Sequence, residues 1–157
     1  MTESKRIAQQ IKQAFEGPCW SGPSLMDILD GVDVIAASAR PISEAHTIWE
    51  IVMHLISGQQ IMLRFARGES NTSATAEDWW QPVPEGDDEQ TWTATIEQLK
   101  KQEAGLWDAV GKFPDDKLDK PFVEGGSSVY NNLHGHAQHT LYHAGQILML
   151  KRVQGIK

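Results

Sequence analysis

Apolar residues recur at helical spacing in four long stretches of the chain, with polar and turn-forming segments between them. The first stretch carries Ile7, Ile11 and Phe15 and predicts a helix over residues 4–16. Gly17 and Pro18 follow it directly, and such a pair of residues ends a helix.

The second predicted helix begins after Ser43, its expected N-cap, and ends at about residue 67, just before Gly68. This start places His46 just inside the helix. The third helix is predicted to begin near residues 91–93 and to end near residue 111. Its buried side is marked by four large apolar residues: Trp92, Ile96, Leu99 and Leu106.

The fourth helix is predicted over residues 129–153, with Ser127 or Ser128 as its cap. The long connection 19–42 contains two short apolar pieces that predict helical turns, and 69–89 and 114–126 are predicted surface loops. No strand or repeat is predicted. The pattern indicates an all-α four-helix bundle with a long crossover connection, formed by residues 1–157 as a single domain.

The six tryptophans are unusual for this length. Trp49 lies off the face that carries His54, so we expect it to pack against a neighbouring helix. Trp79 and Trp80 interrupt a polar loop and are expected to dock on the body. These two residues and Trp20 would line a pocket, cover a dimer contact or pack in the core.

Composition excludes several classes of function. A net charge of −7 argues against a nucleic-acid partner, which needs a basic surface. No long apolar run predicts a membrane span, and the polar first residues lack the apolar core of a secretion signal, so a cytoplasmic location is expected. The one cysteine, Cys19, excludes a disulfide framework and is expected to be a small apolar filler.

Histidine is the residue that indicates chemistry, because four of the six lie between His134 and His143. His139 and His143 are four residues apart, so their rings lie one turn apart on the same face of the fourth helix. Such a pair can chelate one divalent ion. A third ligand must then come from another helix.

His54 is the best candidate for that third ligand, because its face of the second helix is largely apolar and points inward. Ser57 and Gly58, one turn on, are small and leave room beside the ring for an ion and its exchangeable ligand. Alone, His54 would be interpreted as a core histidine bonded to a carbonyl or to Glu50. Together with His139 and His143, it predicts a three-histidine metal site.

Other residues near these three have alternative assignments. His136 is a fourth ligand, a supporting group or a pocket wall, and Gln146 either supports a ligand or packs in the ordinary way. Glu50 is the candidate catalytic base, although a glutamate near a helix end is commonly solvated. His134 points to the far side, and His46 is expected to be a cap or a pocket-rim residue.

Residues 46–54 (HTIWEIVMH) and 134–147 (HGHAQHTLYHAGQI) closely resemble the DinB-like (YfiT-type) family, which is described as metal-dependent enzymes. The resemblance extends over most of the chain, and the ending YHAGQI is its most specific part. It implies a four-helix bundle with a long crossover, a tendency to dimerise, and metal ligands that match His54, His139 and His143. His136 is not part of the family pattern.

Three neutral ligands would leave an ion with a free position, as in catalytic rather than structural sites. The expected cofactor is therefore one divalent transition metal, Zn²⁺, Ni²⁺ or Fe²⁺, since imidazole suits each. The resemblance implies a hydrolase or a transferase that uses a low-molecular-weight thiol. We expect a small-molecule substrate and a homodimer. The alternatives are a non-catalytic metal-binding or stress-response protein and an inert bundle with structural histidines.

Overall fold

Four long helices form the body of the protein, and the computed structural model describes all of residues 1–157. With three short helices between them, the helices in chain order are α1 (Glu3–Glu16), α2 (Leu25–Leu29), α3 (Val34–Ser38), α4 (Ile48–Ala66), α5 (Ala76–Trp79), α6 (Glu89–Gly111) and α7 (Val129–Val153). A 3₁₀ turn covers Asp115–Lys117. There is no strand, so the all-α prediction is confirmed.

The long helices pack as a four-helix bundle. Helix α4 packs against α6 and α7, and α1 packs against the same two helices. Consecutive long helices α1 and α4 therefore lie on a diagonal of the bundle. A short turn cannot join diagonal helices, which explains the long crossover. Within that crossover, α2 packs on α1 and α7, and α3 packs on α4.

Helix α4 is the most enclosed element, with every residue from 51 to 59 buried. It packs against four other helices, α3, α5, α6 and α7. Trp49 is 1% exposed and packs edge-on against Trp92, with ring centroids 5.3 Å apart. Trp92 also donates its indole N–H to the carbonyl of Val32 at 2.8 Å, which ties α6 to the crossover. The predicted packing of Trp49 is confirmed.

The start of α4 differs from the prediction. Thr47, not Ser43, is the N-cap: its hydroxyl accepts from the Glu50 N–H at 3.1 Å, and the Glu50 carboxylate accepts from the Thr47 N–H at 2.7 Å. This reciprocal pair satisfies two N–H groups that a helix start otherwise leaves free. His46 consequently precedes the helix, whereas the prediction placed it inside.

Two further helices begin where the sequence did not predict a start, and each has an acidic or hydroxyl residue as its N-cap. Helix α6 begins at Glu89 with Asp88 as cap, earlier than predicted. The predicted loop 69–89 contains α5, which is capped by Thr75 and Asp78 in the same reciprocal way as α4. The bounds of α7 agree with the prediction, with Ser128 as its cap.

The surface carries a few large apolar side chains. Trp20 is fully exposed, so the expectation that it packs in the core is wrong. Tyr142, Met149 and Val153 are all more than half exposed along one stripe of α7. The homodimer stays a prediction. None of the helices combines the length and the apolarity that crossing a bilayer requires.

Candidate metal centre

Helices α4 and α7 bring three histidines together at their contact. Nε2 of His54 lies 2.9 Å from Nε2 of His139, which in turn lies 3.1 Å from Nε2 of His143. One ligand atom from each residue falls within 4.8 Å of the others, forming a group that could hold a metal ion. The structure thus brings together the three histidines that the sequence predicted as ligands.

The outer nitrogens of two rings are held by oxygen atoms. Nδ1 of His54 lies 2.8 Å from the Trp79 carbonyl oxygen, and Nδ1 of His143 lies 2.6 Å from Oε1 of Gln146. An oxygen acceptor requires a proton on Nδ1, which leaves the Nε2 lone pair of a neutral ring free. Both lone pairs are thereby turned towards His139, the orientation that metal-ligating histidines show.

Electrostatics also favours neutral rings. Burial, followed by the charges of His143, His54 and His136, lowers the pKa of His139 to about 3. Burial is also the main cause that lowers the pKa of His54 and of His143. At neutral pH the three rings are therefore neutral, which is the form that binds a metal ion.

The residues present fit a divalent ion. Two nitrogens bound to one ion at about 2.0–2.1 Å lie about 2.9–3.4 Å apart for angles of about 90–110°. The Nε2 distances from His139 to His54 and to His143, 2.9 and 3.1 Å, fall in that range, and the third separation is at most 4.8 Å. Without a cation, one His139 proton would have to serve two facing lone pairs. No cysteine or carboxylate completes the group, so a bound ion would keep free positions.

The segment that contains α5 covers the centre with two indole rings. The Trp80 ring stacks on the His54 ring, with centroids 3.9 Å apart and an angle of 13°. Trp79 approaches Gly58 so closely that a Cβ built at Gly58 would lie 3.2 Å from Cζ3 of that indole and 3.7 Å from Cε1 of His139. The small residue predicted to leave room for an exchangeable ligand instead makes room for Trp79 and His139.

His136 lies in the core beside the centre and outside the ligand group. Its Nε2 lies 3.2 Å from Oε2 of Glu103, and both side chains are almost fully buried. The second oxygen of Glu103 has no partner. Sequence reasoning missed Glu103. The sequence did contain an indication that Glu103 is buried, because it lies four residues after Leu99 and three before Leu106 on the same face of α6.

Glu50 is engaged at the start of α4. Its carboxylate accepts from the Thr47 N–H and from Nη2 of Arg40 at 2.7 Å, and it lies 3.4 Å from Nδ1 of His46. Burial raises the pKa of Glu50, but these hydrogen bonds and positive charges lower it by more. Glu50 is not in the ligand group, and its catalytic role stays a prediction.

The two other histidines also lie outside the ligand group. The His46 ring stacks on Trp80, with centroids 4.1 Å apart, so Trp80 is sandwiched between His46 and His54. His46 precedes the N-cap Thr47, and its role as a cap or a pocket-rim residue stays a prediction. His134 packs beside Tyr130.

A cleft of about 270 Å³ opens beside His139 between α4, α5 and the first half of α7. Met62, Phe65 and Trp79 form its apolar wall, while its polar side includes Asn132 and His136. A second cavity of about 250 Å³ shares Phe65, Trp79 and Asn132 with it. Apolar walls with a few polar groups are typical of small-molecule sites, and both volumes lie just below the range of about 300–1,000 Å³ for such sites.

The fold and the three convergent histidines define an all-α bundle with a site that could hold a metal ion. The family comparison agrees, because the model of the DinB superfamily matches residues 22–147, most of the chain. The chain therefore belongs to the DinB superfamily. Searches of curated proteins and of solved structures gave no match.

Proposed function

We propose that this protein is a metal-dependent enzyme that acts on a small molecule, either as a hydrolase or as a transferase that uses a low-molecular-weight thiol. The observation that carries the proposal is the convergence of three Nε2 atoms beside an open cleft, with no fourth protein ligand. A metal-storage or stress-response protein has no need of a cleft that reaches a ligand. Zn²⁺, Ni²⁺ and Fe²⁺ all suit three imidazoles.

His54, His139 and His143 would hold the ion, while the Trp79 carbonyl and Gln146 keep two of the rings in position. A divalent ion supplies Lewis acidity, which lowers the pKa of a water or thiol and so favours its nucleophilic form at neutral pH. Met62, Phe65 and Trp79 bind the apolar part of the substrate and exclude water.

The buried pair of His136 and Glu103 serves proton transfer in this proposal. Oε2 of Glu103 accepts the hydrogen on Nε2 of His136, which leaves Nδ1 as the nitrogen that accepts a proton. His136 lines the cleft, so the proton of the attacking water or thiol goes to this ring and then to the leaving group. Glu103 acts through His136 and is a positioning residue.

The test is a turnover screen on the protein loaded with Zn²⁺, Ni²⁺ or Fe²⁺. Hydrolysis of small esters and amides is measured beside the conjugation of low-molecular-weight thiols to small electrophiles. The proposal expects turnover that His139→Ala abolishes. It also expects Glu103→Gln to lower kcat and shift the pH profile while the metal content stays the same. Equal rates in the wild type and His139→Ala would overturn it.

A further inference from the structure

A cavity of about 650 Å³, larger than either cleft beside His139, lies where the ends of α4 and α6 meet the start of α7. We propose that it binds a small anionic molecule with a flat apolar body, at a site separate from the histidine centre. Its volume is within the range of about 300–1,000 Å³ that small-molecule sites occupy.

The charge of this cavity is opposite to the charge of the chain. The chain has a net charge of −7, yet four cationic side chains line the cavity beside one acidic side chain: Arg67, Lys112, Lys117, Lys120 and Asp108. Asp108 pairs with Lys112 at 2.8 Å. The other three cations form no ion pair with a carboxylate and are free to meet an anion.

Two of the cations already have a role in the fold. Arg67 and Lys112 are the C-cap residues of α4 and α6, where a cation opposes the negative end of the helix. Lys117 and Lys120 lie on the connection between α6 and α7 and have no such role. They therefore supply most of the positive charge that remains for a ligand.

The segment that carries these two lysines is held on both sides. The N–H of Val129 donates to the Lys120 carbonyl at 2.7 Å, and the N–H of Tyr130 donates to the Leu118 carbonyl at 2.8 Å. Asp115 accepts from the first backbone N–H groups of α1. Because the segment is already ordered, binding a ligand costs little conformational entropy.

The apolar wall is made of three phenylalanines. Phe65 and Phe122 are stacked, with centroids 5.4 Å apart and an angle of 19°, and Phe113 meets Phe122 edge-on at 5.9 Å. All three line the cavity. Flat rings of this kind pack favourably against a planar apolar molecule. A carboxylate or a phosphate group on that molecule would then face the lysines.

This site does not depend on the proposed enzyme function. Val129 lines the cavity and precedes His139 by ten residues on α7, which corresponds to about 15 Å along the helix. Phe65 also lines the cleft beside His139, but none of the three histidines lines this cavity. Binding can therefore be measured whether or not the protein catalyses a reaction.

The test is an NMR titration of the full-length, metal-loaded protein with 2-naphthoate, 1-naphthyl phosphate and neutral 2-naphthalenemethanol. We expect saturable shifts at Lys112 and Phe113, which line neither cavity beside His139, with an anionic probe. Binding of the neutral probe should be about tenfold weaker. Binding of only one anion would identify the charged group. Lys117→Gln/Lys120→Gln should weaken binding about five- to tenfold. The control Lys100→Gln/Lys101→Gln makes the same change in charge and should bind as the wild type does.

Three results would overturn the proposal. The neutral probe could bind as tightly as the anions, or the shifts could be confined to residues of the histidine centre. The double variant at residues 117 and 120 could also bind as tightly as its control. Both lysines are exposed, so their replacement should leave the fold intact, and circular dichroism verifies that.

Discussion

The ring of His54 is joined to the backbone of Trp79 by a hydrogen bond of 2.8 Å between Nδ1 and the carbonyl oxygen. His54 lies in the buried middle of α4, whereas Trp79 ends a four-residue helix in a long connection. A loop segment thus sets the direction in which a core histidine presents its free nitrogen. The geometry of the centre depends on α5 as well as on the two long helices.

Gln146 should have a similar influence on His143. We expect Gln146→Ala to lower metal affinity about 10- to 100-fold, because the ring loses the acceptor at 2.6 Å that fixes its orientation. Isothermal titration with Zn²⁺ measures the change. Gln138→Ala, an exposed glutamine on the same helix, is the matched control and should bind like the wild type. Equal affinity of Gln146→Ala would show that the bond is not needed.

Gly58→Ala should separate stability from metal binding. Alanine in a helix interior is favoured over glycine by about 1 kcal/mol, so the helix itself should gain stability. The added methyl group would press on Trp79 at 3.2 Å and touch His139 at 3.7 Å, so Trp79, whose carbonyl holds His54, would have to shift. We therefore expect weaker metal binding and altered tryptophan fluorescence without a comparable loss of stability. Gly145→Ala, where a methyl group would meet nothing, should leave metal binding unchanged.

Replacement of Glu50 distinguishes a cap from a catalytic base. The structure predicts that Glu50→Ala loses about 1 kcal/mol of stability, because the start of α4 loses half of its reciprocal cap. Its exposed ion pair with Arg40 should add little. Urea unfolding measures the stability, and Glu50→Gln, which keeps the cap, is the control. A large loss of turnover in Glu50→Gln, with metal content intact, would instead support the base that the sequence suggested.

The sequence was sufficient for the bundle and for the three histidines. Helical spacing identified all four long helices, and the separation of His139 from His143 placed two rings on one face. It was not sufficient for the surroundings of the site. Helical spacing placed Glu103 on the buried face of α6, but its contact with His136 is tertiary, as is the bond between His54 and the Trp79 carbonyl. No local pattern encodes such contacts. The caps at Thr47 and Thr75 had a local signal, a threonine followed three residues later by an acid.

Asp115 should stabilise the fold at neutral pH and lose this effect at low pH. Hydrogen bonds from Ser4 and Glu3 lower the pKa of its carboxyl below the ordinary 3.8. The unfolded chain therefore takes up this proton at a higher pH than the folded chain. The stabilisation is complete above about pH 3.8 and is lost as the pH falls below it. The urea midpoints of the wild type and Asp115→Ala should differ at pH 7, and the difference should shrink as the pH falls below 3.8. A constant difference would contradict the assignment.

Metal stoichiometry in the wild type and in His139→Ala tests the central claim most directly. The account predicts about one divalent ion per chain in the wild type, with X-ray absorption showing imidazole ligands. It predicts little or no ion in His139→Ala, and full metal content in His134→Ala, whose ring lies outside the group. A His139→Ala protein that binds Zn²⁺, Ni²⁺ or Fe²⁺ as tightly as the wild type would contradict the account.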